Sequence, residues 1–378
     1  MHPGLRPFPA HGRTDTWKEP PFVNAPRHPR HTRRRGRFAG PFARFPRLSA
    51  ALAGAAVLST LGMAAAAAPA VLEGPEAASA SPVAAEGRWL TGYWHNFDNG
   101  STTMPISEVP SAYNLIAVAF AGNKAGTPGG ITFDVAGGEL GGYTNQQFKE
   151  DVAAVQAEGR KVVLSIGGQN GHVDVTDSAE AANFADSAYA LMQEFGFDGI
   201  DIDLEHGMNA RYMEEALRSL RAKAGSDLII TMAPQTIDFQ APSYAYYQLA
   251  QNIGDILTIV NMQYYNSGSM LGCDQQVYSQ GTVDFLTAQA CIQLELGLRP
   301  DQVGLGLPAT PDAAGGGYQP ASNVIRALDC LEQGRNCGAF TPSEPYGPIG
   351  GAMTWSINWD ATNGYAFADA LGARLGTG

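Results

Sequence analysis

The chain has 378 residues, 44% of them hydrophobic and only 16% charged, a globular composition long enough for one large domain or two ordinary ones. Residues 1–68 carry 11 of the 24 Lys+Arg and two of the 36 Asp+Glu, so the rest holds 13 basic and 34 acidic groups, a net charge of −21. A body that acidic is a poor partner for nucleic acid or for an anionic membrane, and neither is expected to bind.

From the N-terminus, residues 24–47 are basic, with Arg33, Arg34, Arg35, Arg37, Arg44 and Arg47. An apolar run follows from Leu48 to Ala68 and ends in alanines before Pro69. A basic n-region, an apolar h-region and a small-residue exit at Ala66-Ala67-Ala68 spell a secretory signal peptide. The run is mostly Ala and Gly, which insert weakly, so a cleaved signal is favoured over a transmembrane anchor. Thr32-Arg33-Arg34 resembles a twin-arginine signal, but Gly36 stands where an apolar residue is usual, which leaves the export route open. Residues 69–86 are Ala, Pro, Ser and Glu and read as a flexible linker. The expected organisation is therefore an extension with signal peptide over 1–68, a linker over 69–86 and one folded domain over 87–378. The mature protein is expected outside the cell, as a monomer.

Export sets the reading of Cys273, Cys291, Cys330 and Cys337. An even number of cysteines in an oxidising compartment suggests pairing. Three connectivities are open, and the local one, Cys273–Cys291 with Cys330–Cys337, is favoured. No pair has C-x-x-C spacing and no His lies near, so no metal is expected there.

Eight short apolar runs read as strands: Leu90–Tyr93, Leu115–Ala121, Lys161–Ile166, Gly199–Leu204, Leu228–Met232, Leu257–Met262, Val303–Leu307 and Gly351–Trp355. Helical patterns lie between them: Asn145–Glu158, Glu180–Phe195, Met208–Lys223, Tyr244–Asn252, Val283–Leu294, Ser322–Glu332 and Gly364–Leu375. That alternation predicts an α/β fold, a single (β/α)8 barrel without a large inserted domain. A doubly wound sheet is the alternative, but no G-x-G-x-x-G follows the first strand. In a barrel, function gathers at the C-terminal strand ends. Here those ends carry Tyr93, Phe120, Ser165, Gly167, Gly168, Met232, Gln235, Gln263, Tyr265, Asn266 and Trp355.

The fourth strand is the most informative. Asp201, Asp203 and Glu205 alternate with Ile200, Ile202 and Leu204, so a strand puts three carboxylates on one face. Like charges packed this closely share protons and titrate together, which suits acid–base chemistry. An EF-hand reading fails, because His206 and Tyr212 stand where Gly and Glu are needed. A divalent metal on the carboxylates stays open as the minor alternative. Gly167-Gly168-Gln169-Asn170-Gly171 lacks the G-K-[ST] of a phosphate loop, and no cofactor is expected.

Asp198-Gly199-Ile200-Asp201-Ile202-Asp203-Leu204-Glu205 resembles the D-x-x-D-x-D-x-E signature of family 18 glycoside hydrolases, the chitinases and their relatives. Ser165-Ile166-Gly167-Gly168 is similar to that family's S-x-G-G segment. Gly92–Gly100 and Met353–Asp360 resemble the opening and closing segments of secreted actinobacterial chitinases. The resemblance implies a retaining hydrolase of chitin and chito-oligosaccharides in which the substrate's own acetamide is the nucleophile, an exception to the two-carboxylate scheme. It implies Glu205 as general acid, then base; Asp203 as holder of the N-acetyl group; and Asp201 as sharing a proton with Asp203. Tyr265 would donate to the acetamide oxygen and Trp355 would floor the sugar. Met232, Gln235 and Gln263 would line the reducing side, with Asn266 as a binding residue where many relatives have Asp. An endo-β-N-acetylglucosaminidase and a non-catalytic chitin-binding lectin are the rival readings.

Overall fold

The computed structural model describes residues 87–378. The expected signal peptide and linker lie outside the described residues. Eight parallel strands follow one another: β1 (Trp89–His95), β2 (Leu115–Asn123), β3 (Lys161–Gly167), β4 (Gly199–Asp203), β5 (Ile229–Met232), β6 (Ile259–Gln263), β7 (Val303–Pro308) and β8 (Gly351–Trp355). Each pairs with its neighbours in sequence, and β8 pairs back onto β1, which closes the barrel. The helices are α1 (Asn145–Ala157), α2 (Ser178–Phe195), α3 (Ala210–Ala224), α4 (Ala245–Asn252), α5 (Val283–Glu295), α6 (Ala321–Gln333), α7 (Ile357–Thr362) and α8 (Ala366–Leu375). The fold is the expected (β/α)8 barrel.

Side-chain alternation splits the core in two. Ile200 and Ile202 of β4, Leu164 and Ile166 of β3 and Ile230 of β5 point outward and pack under the helices. Each such buried chain contributes about 1.5–3 kcal/mol. Leu115, Val163, Ile229 and Ile259 point inward and plug the lower barrel. Above this apolar plug lies a buried polar layer that includes Thr91, Ser165, Asp201, Thr231 and Asn261.

Local chemistry ends the elements. Thr144 caps α1 in a reciprocal box with Gln147, and Asp177 caps α2 by accepting from the Ala179 and Glu180 amides. Between β1 and β2 the connection holds only a 3-10 turn, Ile106–Glu108, and both α7 and α8 pack on β1. The excursion after β6 is a short hairpin, Ser269–Leu271 with Val277–Ser279, tied to α5 by Cys273–Cys291. Its three-residue strands are too short to show alternation in the sequence. Cys330–Cys337 closes the second expected bridge at the end of α6. Among the described residues no inserted domain stands between β7 and β8.

Candidate active site

Strand register builds the site from below. Asp201 sits level with Ser165 on β3 and Thr231 on β5. The Ser165 hydroxyl donates to Asp201 Oδ2 at 2.7 Å and the Thr231 hydroxyl to Oδ1 at 2.6 Å. From β1, the Tyr93 phenol donates to Oδ2 at 2.7 Å. Asp201 is fully buried, and burial raises its pKa against the downward pull of these three donors.

One pleat higher, Asp203 Oδ1 accepts from the Gln263 amide at 2.9 Å. Burial first, then the charges of Asp201 and Glu205, push its carboxyl well above the usual range. The structure couples Asp201 and Asp203 through charge, while their hydrogen bonds go to different residues. Glu205 lies two residues past the end of β4. Its Oε1 is 3.3 Å from the Gln263 amide nitrogen and its Oε2 is 3.4 Å from that of Gln235. Gln263 thus bridges Asp203 and Glu205, a role the sequence did not disclose.

These groups open into a cleft of about 430 Å3 at the C-terminal mouth of the barrel. Of the residues expected there, Asp203, Glu205, Gln235, Gln263, Tyr265, Asn266, Phe120, Trp355 and Gly168 line it. Tyr265 keeps its phenol proton, because burial and then the charges of Asp203, Glu205 and Asp201 push its pKa well up. Trp355 stacks on Phe120 at 5.8 Å and 17°. Beneath it, His95 is buried and held neutral, its pKa pushed down to about 3 by burial. The Gly167-Gly168 pair has a backbone reason. Gly168 has φ +74°, and a Cβ there would lie 2.5 Å from the Phe120 ring.

Tyr93, Met232 and Asp201 are not brought to the cleft, and of the motif residues Ser165, Gly167 and Asp198 lie outside it too. Tyr93 is 1% exposed and acts below it, holding Asp201. Met232 is level with Ile202, so its side chain points outward into the core beneath the helices rather than toward a ligand. Asp198 precedes β4 at the other end of the barrel, pairs with Lys161 at 3.0 Å and accepts from the Val162 amide at 2.8 Å. It ties β3 to β4. The structure also brings in Thr231, Gln169, Ile237, Met270 and the segment Ala313–Gly315, which were not expected. Only Thr231 had a readable signal, being one residue before the strand end that Met232 occupies. Asp238 was missed as well. Its carboxyl is pushed up to about 6, by burial against the Gln235 amide bond and then by the charge of Glu205. A larger cavity of about 680 Å3 opens at the opposite, N-terminal end of the barrel and holds none of the expected site residues.

The model of "Glycosyl hydrolases family 18" matches residues 90–370. Chitinase D of Niallia circulans is 35% identical over 331 residues, which cover 77% of this chain and 62% of that protein. The chain therefore spans about three fifths of that relative's length. A Streptomyces coelicolor protein assigned as a chitinase A has a solved structure that is 61% identical, with a TM-score of 0.75, covering 76% of this chain and 98% of its own. A family 18 chitinase from Chromobacterium violaceum is 36% identical with a TM-score of 0.71, over 76% of this chain and 83% of its own. With the D-x-x-D-x-D-x-E strand at the mouth of a closed barrel, these matches establish that the chain belongs to glycosyl hydrolase family 18.

Proposed function

We propose that this chain is an exported chitinase that cleaves β-1,4 linkages between N-acetylglucosamine units with retention at the anomeric carbon. The convergence of Asp203, Glu205, Tyr265 and Trp355 on one cleft carries the reading. Glu205 protonates the glycosidic oxygen while the acetamide oxygen of the sugar on the non-reducing side attacks the anomeric carbon. The C–O bond breaks and a cyclic oxazolinium ion forms. Asp203 holds the acetamide N–H, and the Tyr265 phenol, kept protonated, donates to the acetamide oxygen. Glu205 then takes a proton from water, whose oxygen opens the ring from the same face as the departed group. Asp201 lies below Asp203, is coupled to it through charge and shares a proton with it. Trp355, backed by Phe120, floors the sugar, and Gln235, Gln263 and Asn266 contact its neighbours. No cofactor or metal enters these steps.

The cleft has no tall wall from an inserted domain among the described residues, which supports endo-type cleavage. The two disulfides support an oxidising destination. No described helix is long and apolar enough to cross a membrane. The test is product analysis on colloidal chitin, soluble oligomers and a high-mannose glycoprotein, with Glu205→Gln alongside. Soluble chito-oligomers from chitin, lost by about 10²–10⁴-fold in Glu205→Gln with oligomer binding intact, are the expected result. Glycan release from the glycoprotein without chitin cleavage would favour an endo-β-N-acetylglucosaminidase. Undiminished turnover by Glu205→Gln would remove Glu205 as the acid.

A further inference from the structure

The turn after β5 holds a carboxylate that the reaction above does not use. Asp238 lies in the 3-10 turn Thr236–Phe239, and its Oδ2 accepts from the Gln235 backbone amide at 2.9 Å. Gln235 in turn sends its side-chain nitrogen to within 3.4 Å of Glu205 Oε2. A chain of two contacts thus runs from Asp238 to the carboxyl read as the acid. We propose that Asp238 is a positioning residue for Glu205: by accepting from the Gln235 backbone amide it fixes the Gln235 side chain against the acid. The proposal rests on the chitinase reading, in which Glu205 is the general acid.

Burial and the charge of Glu205 push the Asp238 carboxyl up to about 6, so the turn that holds Gln235 feels the state of the acid. Asp238 is itself partly buried, so its charge is poorly screened. The charged and titratable groups acting on it are Glu205, from beyond β4, and the Tyr246 phenol of α4, which burial keeps protonated. From α5, the neutral amide of Gln289 reaches this turn through Gln240. No described ion pair neutralises Asp238 with a cation.

Asn at 238 can still accept from the Gln235 amide but carries no charge; Ala removes both functions. The pH profile of kcat/KM on a soluble chito-oligosaccharide should therefore separate them. In Asp238→Asn, which keeps the acceptor for the Gln235 amide, kcat/KM should stay within about twofold of the parent's across the profile. In Asp238→Ala the plateau should fall by about tenfold, in kcat rather than in KM, because the acceptor that holds Gln235 is gone. An Ala variant with the parent's kcat, or an Asn variant as impaired as Ala, would overturn the proposal. A second readout needs no activity. Carboxyl ¹³C titration should find Asp238 near 6 in the parent protein and lower in Glu205→Gln. An unmoved midpoint overturns the coupling. A parent protein that titrates as stated yet cleaves no chitin overturns the chitinase reading and leaves the coupling standing.

Discussion

Thr231→Val probes the buried layer that supports the site. The substitution keeps the shape of a fully buried side chain and deletes the 2.6 Å bond to Asp201 Oδ1. Oδ2 keeps its two donors, Tyr93 and Ser165. A hydrogen bond to a charged group is worth about 1.5–3 kcal/mol, against about 1 kcal/mol for a neutral one. Which value applies depends on pH. Burial raises the folded-state pKa of Asp201 above its unfolded value. The native state therefore binds that proton more tightly, an advantage complete below the unfolded pKa and lost as pH rises through the folded one. Losing a donor to the charged form raises the folded value further. The stability deficit of Thr231→Val should thus widen with pH, from about 1 kcal/mol at pH 4 to about 2–3 kcal/mol at pH 8. Urea unfolding at the two pH values measures it. Thr354→Val is the control, since that hydroxyl donates to the Leu307 carbonyl and should cost the same at both. A Thr231→Val deficit equal at pH 4 and pH 8 would mean that Asp201 is not an ionisable group held by this bond.

On partly deacetylated chitosan, every new reducing end should be N-acetylglucosamine, and early proton spectra should show the β-anomer; glucosamine ends or an α-anomer first would withdraw the roles given to Asp203 and Tyr265. From colloidal chitin, the early products should be mixed oligomers, and exclusive dimer release in the first minutes would contradict an open, endo-acting cleft. Gly168→Ala should push Phe120 from its place behind Trp355 and lower kcat/KM by about tenfold or more, with a folding cost of about 1 kcal/mol or more from the positive φ. An unchanged kcat/KM would mean that the floor does not depend on Phe120.

The alternation of Asp201, Asp203 and Glu205 with Ile200, Ile202 and Leu204 was legible without coordinates, because a strand's two-residue period is a local property. So were the eight strands and the bridges Cys273–Cys291 and Cys330–Cys337, which span short stretches of chain. Short irregular pieces were not: the hairpin after β6 and the six-residue α7 leave too few residues for a periodic signal. The partners of the carboxylates depended on closure of the barrel. Tyr93 reaches Asp201 across 108 positions of sequence, Gln263 reaches Asp203 across 60, and Thr231 reaches Asp201 across 30. Their order in the chain says nothing of such meetings until register sets their heights. The same register turned Met232 toward the helices and put Tyr93 beneath the cleft instead of in it. Asp238 is ordinary as a letter in a turn. Only burial beside Gln235, within reach of the charge on Glu205, makes its carboxyl unlike the others on the chain's acidic surface.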